Sequence, residues 1–526
     1  MVVGFAIRVN HLGSESYGED ELNKLQTVGE YRNNGLSGKN GEHPFLMKGL
    51  QTLSISASEK LNSVISRPTP LISEEAALRF PLVLFGTFTI LLLFLLVREL
   101  FGRSIAILSA ALWALEPMAI GFDRIAKEDS LVLFFFLLTN FFWVRSQTEA
   151  EHRNTNWTWY AWAAAAGFAG LMASKYYPFL LGMTAAYYII YRDVPNRYWE
   201  MQKVRWLKFL IVMGISFLIL NPTILLPDAW REMAKFSSEG RIGHDSYEYF
   251  GRLYHHQATA WLAGVPWTFY FVFIGVKTSL TTLILAIVGV PLLVRSRLGD
   301  GRFFILFWAV FWLISFTFSG GKFTRYFTTA APLVFVAAAT AFYFLIKWVA
   351  SRIHGDRLSA AFQIGMFAIF LTVPLSNSLS SAPHFRLFTN LIGGGPAAAG
   401  AYFPHDEFYD ATTREAVSEI AASARPGALV ACETPAVFEY YAAKAGRSDL
   451  QFVSLSDKTK VLMLNEGDLV VSARGRRYFS NTPYLELLER SNLSPIDVHI
   501  EMVSSAKVYK LDQATVEALK LVANRS

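Results

Sequence analysis

The feature that most constrains this chain is a succession of long apolar runs, each near the length of a membrane-spanning helix. Such a helix needs about 20 mostly apolar residues. Only 17% of the 526 residues are charged, whereas soluble domains carry about 25%. The pattern predicts an α-helical polytopic membrane protein with about 10–11 transmembrane helices and excludes an all-soluble enzyme. The candidate spans are residues 80–97, 104–122, 129–145, 159–174, 176–191, 207–226, 267–294, 303–319, 327–347 and 359–377.

The loops between these runs differ in basic charge, which predicts how the chain lies across the membrane. Lys and Arg are concentrated in alternate loops, such as the one after residue 191. Because cytoplasmic loops carry the excess of Lys and Arg, we expect that set to be cytoplasmic. Segment 10–78, the loop 227–266 and the tail from about residue 378 would then lie on the outer face. For a bacterial inner membrane, that face is the periplasm.

The composition changes near residue 380, and this change predicts a domain boundary. A stretch of small residues at 391–400 is followed by alternating helix-like and β-like segments, which is typical of an α/β fold. We expect residues 1–378 to form a transmembrane domain and residues 379–526 a soluble extracytoplasmic α/β domain. At the other end, MVVGFAIRV is too short to span. We expect it to be the remainder of a first helix that begins upstream, rather than a short interfacial anchor.

The charge balance and the cysteine count exclude further classes. The net charge of +6 could indicate nucleic acid, but the basic residues lie in short loops between apolar runs, which is typical of membrane topology. We therefore expect no nucleic-acid partner. Cys432 is the single cysteine, which excludes an internal disulfide and a cysteine-based metal site.

Two clusters of ionisable residues lie in the first predicted outer segment, one acidic and one that combines acidic and basic residues. Asp20 and Glu21 form an acidic pair, and about twenty residues later EHPFLMK supplies Glu42, His43 and Lys48. Ionisable groups beside membrane spans are costly and are therefore candidates for function. A carboxylate there could deprotonate an incoming hydroxyl, and a lysine could hold a phosphate. The alternative is a solvated acidic loop.

A third cluster, FDRIAKEDS, opens a predicted span. Arg124 lies four residues before Glu128 and five before Asp129, so on a helix the three would lie near one face. The cluster could serve a site, or it could be an interfacial salt-bridge group that anchors the helix.

A fourth cluster, SGGKFTRY, places Lys322 and Arg325 three residues apart, followed by Tyr326. A cation pair on the outer face opposes the usual charge bias, so an anion is a reasonable ligand. The alternative is snorkelling of both side chains to lipid headgroups.

The last candidates lie in and after the loop 227–266. They are His244, Tyr247, Trp267 and Tyr270. Histidines near carboxylates could bind a metal, but no pair here has the HExxH spacing. The aromatic residues are more typical of an interface belt or a wall on which a sugar stacks.

In their order and shared side of the membrane, these clusters resemble the GT-C membrane glycosyltransferases, in particular protein O-mannosyltransferases and aminoarabinose transferases (glycosyltransferase family 39 and relatives). Asp20-Glu21 resembles the acidic pair of that family. Residues 42–48 resemble its His-Pro-Pro-Leu-Gly-Lys motif, with Phe45 in place of the second proline and Met47 in place of the glycine.

The later motifs follow in the family's order. RFP at 79–81, Arg124 with Asp129, PWTFY at 266–270 and KFTRY at 322–326 are similar to family segments. The resemblance covers most of residues 15–345 and, more loosely, the tail.

This resemblance implies an inverting glycosyltransferase that moves a hexose or pentose from a polyprenyl-phosphate-linked donor to an extracytoplasmic protein, glycolipid or cell-envelope acceptor. Asp20 would be the base, and Glu21 would orient the loop or the sugar. Some GT-C enzymes use a divalent metal; we expect little sensitivity to chelators. The residues expected to bind the donor phosphate are Lys48, Arg124, Lys322, Arg325 and Tyr326. Those expected to support the substrate are Glu42, His43, Asp129, His244, Tyr247, Trp267 and Tyr270.

The competing class is a polytopic lipid or solute carrier without transferase activity. A carrier predicts charges near the middle of helices and broken helices in paired repeats. Here the charged clusters lie at the outer ends of the predicted spans, and no repeat is visible, so we favour the transferase.

Overall fold

The computed structural model describes residues 1–65, 69–176, 179–192, 199–238, 244–257, 259–295, 298 and 301–525. Parts of the predicted outer loops 10–78 and 227–266 and of the predicted span 176–191 lie outside these residues.

The first 380 residues are mainly helical, and each predicted apolar run overlaps a helix. The helices are α1 (Val2–Val9), α2 (Glu19–Asn34), α3 (Phe45–Ile65), α4 (Glu74–Phe101), α5 (Arg103–Leu115), α6 (Pro117–Asp123), α7 (Asp129–Glu151), α8 (Trp157–Ser174), α9 (Phe179–Tyr191), α10 (Lys203–Leu220), α11 (Pro227–Ser238), α12 (Phe269–Lys277), α13 (Leu280–Val294), α14 (Gly301–Thr317), α15 (Ala331–Ala350) and α16 (Asp356–Ser380). A hairpin of β1 (Ser246–Tyr249) and β2 (Arg252–His255) lies between α11 and α12.

Within the described residues, four helices are long and apolar enough to cross a membrane by themselves: α4, α7, α15 and α16. A fifth span is possible if α5 and α6, which meet at an angle of 63°, are taken as one bent helix. The predicted run 267–294 is two helices, α12 and α13, separated at Thr278 and Ser279. The prediction of a helical membrane protein is confirmed, although several runs are shorter or more broken as helices than their composition indicates.

Two interpretations that the sequence left open for the outer segments do not hold in the structure. The acidic segment after Gly18 is the first turn of α2 and not a solvated loop. Arg124 and Glu128 do not share a helix face, because α6 ends at Asp123 and α7 begins at Asp129. The break between these helices instead lets the two side chains reach different partners.

The short first helix packs against α4, α5 and α6 through one face. Arg8 of α1 forms a fully buried ion pair with Asp123 at 2.8 Å and donates to the carbonyl oxygens of Trp113 and Ala114. A buried arginine needs such complete pairing, because an unpaired buried charge is very costly.

The tail folds as an α/β unit, as its sequence predicts. Its elements are α17 (Pro404–Phe408), α18 (Thr413–Ser423), β3 (Leu429–Cys432), α19 (Pro435–Lys444), β4 (Gln451–Ser454), α20 (Lys458–Val461), β5 (Leu469–Ala473), α21 (Thr482–Arg490), β6 (Ile496–Ile500), β7 (Val503–Lys510) and α22 (Gln513–Arg525). The sheet order is β4-β3-β5-β7-β6, with parallel pairs around β3 and antiparallel pairs around β7.

The tail and the first outer segment share a core. Tyr17 and Leu22 pack in one apolar cluster with Val437 and Tyr441 of α19. The backbone N–H of Tyr17 also donates to the hydroxyl of Tyr441 at 2.8 Å. This packing fixes the tail over the start of α2.

Candidate active site

A cavity of about 530 Å³ lies where the start of α2, the break between α6 and α7 and the tail meet. We call it the Asp20 cavity. Its lining residues are Glu19, Asp20, Glu42, His43, Lys127, Glu128, Lys175, Tyr176, Met233, Phe236, Ser237, His244, Phe323, Arg325, Tyr326, His405, Tyr409 and Arg476. It therefore gathers charged groups of both signs at the ends of apolar helices.

Asp20, in the first turn of α2, lines this cavity with a partly exposed carboxylate. It forms an ion pair with the buried ammonium of Lys127, and 41% of its own side chain is exposed. Burial by itself would raise the pKa of Asp20. The charges of Lys127, Lys24 and Arg325 outweigh that effect and hold the pKa well below its ordinary value. Asp20 is therefore ionised at neutral pH.

Glu21 is a scaffold residue that does not reach the cavity. Its carboxylate accepts two hydrogen bonds from Arg79, at 2.6 and 2.9 Å, and one each from the backbone N–H groups of Gly18 and Ala126. It is fully buried. Glu21 thus ties the first turn of α2 to α4 and to the break after α6, which fixes where Asp20 lies.

Two cations converge on the far wall of the cavity. Lys175 pairs with Asp129 at 3.2 Å and lies over the ring of Tyr326. Arg325 lies 3.8 Å from the same carboxylate and 3.6 Å from Asp406, and its guanidinium stacks on a neighbouring aromatic ring. Lys175 and Arg325 thus share Asp129, and Asp406 supplies a second carboxylate beside Arg325.

A second set of charged residues, around Glu128, also lines the cavity. Glu128 pairs with Lys24 at 3.2 Å and with Nδ1 of His43 at 3.3 Å. Burial lowers the pKa of His43 to about 3 despite the nearby Glu128, so His43 is neutral at physiological pH. Burial also raises the pKa of Glu42 above its ordinary value. His43 and Glu42, which the sequence analysis assigns to substrate support, both line the cavity.

Three predicted phosphate ligands are not brought to the cavity. Lys48 donates to the carbonyl oxygens of Asn40 and His43, at 2.7 and 2.9 Å. Arg124 donates to three carbonyl oxygens of residues 8–11, and Lys322 donates to those of Val265 and Ser319. Each side chain is buried and fixes a loop, so their positions give no support to the expected phosphate-binding role.

Of the predicted aromatic and histidine residues in and after the loop 227–266, one lines the cavity and three do not. His244 lines the cavity and stacks on the ring of Tyr478. Tyr247 and Tyr270 are buried: Tyr247 donates to Asp406 at 2.6 Å and Tyr270 to the Phe323 carbonyl at 3.2 Å. Trp267 is largely exposed outside the cavity. No group of three His, Cys, Asp or Glu that could hold a metal occurs in the part of the chain that the structure describes.

The residues that sequence reasoning missed come from two sources. Lys127 lies within the FDRIAKEDS cluster and Lys175 is a single cation beside a predicted span, but nothing in the local sequence indicates that either lines a cavity. His405, Tyr409 and Arg476 lie more than 350 residues after Asp20 in the chain. The polar run PHDEFYD at 404–410 was the available signal for the tail, but its partner in space could not be read from sequence.

Comparisons with known proteins identify the fold of the chain. The structure superposes on ArnT from Cupriavidus metallidurans in the apo state with a TM-score of 0.51 at 14% identity, over 98% of this chain and 96% of that one. The chain has the GT-C fold. The family model "Dolichyl-phosphate-mannose-protein mannosyltransferase" matches residues 71–225. Together these two findings confirm the predicted resemblance to GT-C glycosyltransferases.

Other GT-C structures are more distant. The Archaeoglobus fulgidus oligosaccharyltransferase in the apo form aligns over 90% of this chain and 68% of its own, at 12% identity and a TM-score of 0.48. Mycobacterial arabinofuranosyltransferase AftD aligns over 97% of this chain and 39% of its own, at 12% identity and a TM-score of 0.45. No protein with a curated description is significantly similar to the chain in sequence.

Proposed function

We propose that this protein is an inverting membrane glycosyltransferase that moves a sugar from a polyprenyl-phosphate donor to an extracytoplasmic acceptor. The observation that carries the proposal is the Asp20 cavity, in which an ionised carboxylate faces Lys175 and Arg325. The name of the matching family contains a dolichyl-phosphate-linked sugar donor. The structure of ArnT has been solved with undecaprenyl phosphate bound. Both agree with a lipid-phosphate donor.

The cations have a direct role in this reaction. When the sugar leaves its carrier, the lipid phosphate gains negative charge. Preorganised cations stabilise that charge more in the transition state than in the ground state, which accelerates the reaction. Lys175 and Arg325 both line the cavity, and a bound phosphate would compete with Asp129 and Asp406 for these two cations. We assign the donor phosphate to these two residues, with Tyr326 beside them.

Asp20 is our candidate for the base. The acceptor hydroxyl has a pKa far above neutrality and needs a positioned group to take its proton as the new bond forms. Asp20 is ionised and partly open to the cavity. Lys127 keeps it ionised but weakens it as a base, so departure of the phosphate must supply much of the driving force. Attack from the side opposite the phosphate gives inversion at the anomeric carbon.

The location of the cavity in the cell and the roles of the two parts of the chain follow from this function. We propose that the cavity opens on the periplasmic face of a bacterial inner membrane. Residues 1–378 would form the catalytic transmembrane domain, and residues 379–526 would close the cavity through His405, Tyr409 and Arg476. The acceptor would enter between these parts.

The test is Asp20→Asn in purified protein, assayed with polyprenyl-phosphate-linked mannose and with a pentose analogue. Loss of a general base typically costs about 100- to 10,000-fold in rate, and we expect a fall in that range with unfolding temperature unchanged. Glu30→Gln, on the same helix but outside the cavity, is the matched control and should retain full activity. Near wild-type transfer by Asp20→Asn would remove Asp20 from the base role.

A further inference from the structure

A second, larger cavity lies on the outer side of the molecule and shares no lining residue with the Asp20 cavity. It has a volume of about 920 Å³ and is enclosed by the outer ends of α13 and α16, the turns at 385–398 and the hairpin of β6 and β7. We call it the outer chamber. Its polar lining includes Asn377, Ser381, His384, Asn390, Arg474 and Glu501.

An apolar groove continues from the outer chamber along the membrane helices. It has a volume of about 240 Å³, lies between α13, α15 and α16, and shares Thr281 with the chamber. Apart from Thr281, its lining is apolar, with Ile284, Phe342, Met366 and Phe370 among it. On α13 the groove is lined only by residues 281–285, and on α16 by residues 366–370. The chamber reaches Val373 of α16, so at about 1.5 Å per residue Met366 lies about 10 Å further along that helix. A polar chamber joined to a short apolar groove can hold a headgroup and the upper part of one acyl chain.

The rim of the outer chamber carries exposed apolar side chains. Leu391 is 79% exposed, and Met502, at the tip of the hairpin, is 90% exposed. The turn of that hairpin is Glu501-Met502, with Glu501 at φ +53°. The preference of such turns for Gly, Asn or Asp concerns the positive-φ residue, here Glu501, and Met502 follows it as the exposed apolar residue at the tip. Exposed apolar groups that flank a groove along a membrane span indicate contact with lipid.

Arg474 is the basic side chain of the chamber lining that a lipid phosphate could contact. Arg474 is exposed, donates one hydrogen bond to the Gly400 carbonyl at 2.8 Å and lies over the ring of Phe408. No carboxylate of the described residues lies within ion-pair distance of its guanidinium. The remaining N–H groups can therefore bind a phosphate, which is the anion that arginine recognises best.

We propose that the outer chamber and the groove together bind one phospholipid of the outer leaflet, with its phosphate at Arg474 and an acyl chain between α13 and α16. This site is separate from the proposed donor site and does not depend on the transferase proposal. A lipid bound there would join the tail to the membrane helices through the hairpin tip.

Native mass spectrometry of the full chain, with dioleoyl phosphatidylglycerol and with dioleoylglycerol, tests the proposal. We expect the wild type to retain one phosphatidylglycerol. Ile284→Trp fills the groove and should reduce that retention at least about tenfold, whereas Ile287→Trp, on the same helix but outside the groove, should not. Ile369→Trp is a second groove-filling variant should Ile284→Trp fail to fold.

The headgroup is tested in the same way. Arg474→Gln should weaken phosphatidylglycerol binding about fivefold, the size expected for one basic residue at a membrane surface, and leave dioleoylglycerol unchanged. Arg490→Gln, an exposed arginine of the same unit, is the control. Equal retention by Ile284→Trp and Ile287→Trp would overturn the proposal, as would equal retention of the two lipids by the wild type. Displacement of the lipid by polyprenyl phosphate, or a lipid-free dimer that buries this face, would also overturn it.

Discussion

At the scale of single residues, the same side-chain type serves two purposes in this protein. Lys48, Arg124 and Lys322 donate to backbone carbonyl oxygens and hold loops, whereas Lys175 and Arg325 face the cavity and pair with carboxylates. In the sequence, Lys48 is a cation of the predicted outer segment 10–78, and the other four are cations near the ends of predicted spans. What distinguishes them is the set of acceptors around each one, which depends on the folded loops.

Arg325 gives the sharpest test at this scale. Arg325→Ala should raise the KM for the lipid-phosphate donor about 10- to 100-fold, because a hydrogen bond to a charged group contributes about 1.5–3 kcal/mol. The KM for the acceptor should change little. Steady-state kinetics with each substrate varied in turn measures both values, with Arg490→Ala as the control. Equal effects on the two KM values would defeat the assignment of Arg325 to the phosphate.

Asp406 is a positioning residue for Arg325, and its variant should behave differently. Its carboxylate accepts from the hydroxyl of Tyr247 and from the backbone N–H of Thr324, and lies 3.6 Å from Arg325. Asp406→Asn keeps the shape but removes the charge that orients the guanidinium. We expect a rise in donor KM smaller than that of Arg325→Ala, at nearly unchanged kcat. A loss confined to kcat would contradict this role.

At the scale of elements, the start of α2 is held by one buried carboxylate. Glu21 joins α2 to Arg79 of α4 and to the backbone after α6. The motif of adjacent acids was visible in the sequence, but their roles were not. Two neighbours on a helix point in different directions, so one faces the cavity and the other the core.

Glu21→Gln should therefore cost stability rather than chemistry. Removing one partner of a buried ion pair costs about 3–5 kcal/mol. Arg79 and the backbone hydrogen bonds also hold the pKa of Glu21 below its ordinary value of 4.5, although burial opposes them. The stabilisation is therefore complete above pH 4.5 and is lost as the pH falls through the folded pKa. Thermal unfolding in detergent between pH 3 and 7 should show a smaller acid-induced loss in Glu21→Gln than in the wild type; an equal loss would contradict it.

Elements differ in how far the sequence predicts them. Long apolar runs such as α4 and α7 were predicted because composition and length suffice. The run 267–294 was not resolved into α12 and α13, because Thr278 and Ser279 interrupt it without a strong breaking signal. The acidic start of α2 was not recognised as a helix, since its helical face is defined by packing against the tail.

At the scale of the whole molecule, the cavity exists because distant segments meet. Asp20, Lys127, Lys175 and Arg325 lie in four separate parts of the transmembrane region, and the tail adds Arg476. The order of the motifs predicted the GT-C fold, but of the predicted donor-phosphate residues only Arg325 and Tyr326 line the cavity. The contribution of the tail could not be predicted, because no local pattern records which surface a domain covers.

Metal dependence is also a property of the whole site. The described residues contain no group of three His, Cys, Asp or Glu suited to a metal, and the cations already supply positive charge for the phosphate. We expect that EDTA leaves the transfer rate nearly unchanged. Loss of activity on chelation that is restored by one divalent cation would contradict this expectation.

The most direct test of the central claim is a structure of the protein with a polyprenyl phosphate bound. We expect the phosphate to lie in the Asp20 cavity, within hydrogen-bond distance of Lys175 or Arg325, with the carboxylate of Asp20 across the cavity from it. A phosphate bound instead at Lys48, Arg124 or Lys322, or in the outer chamber, would contradict the account.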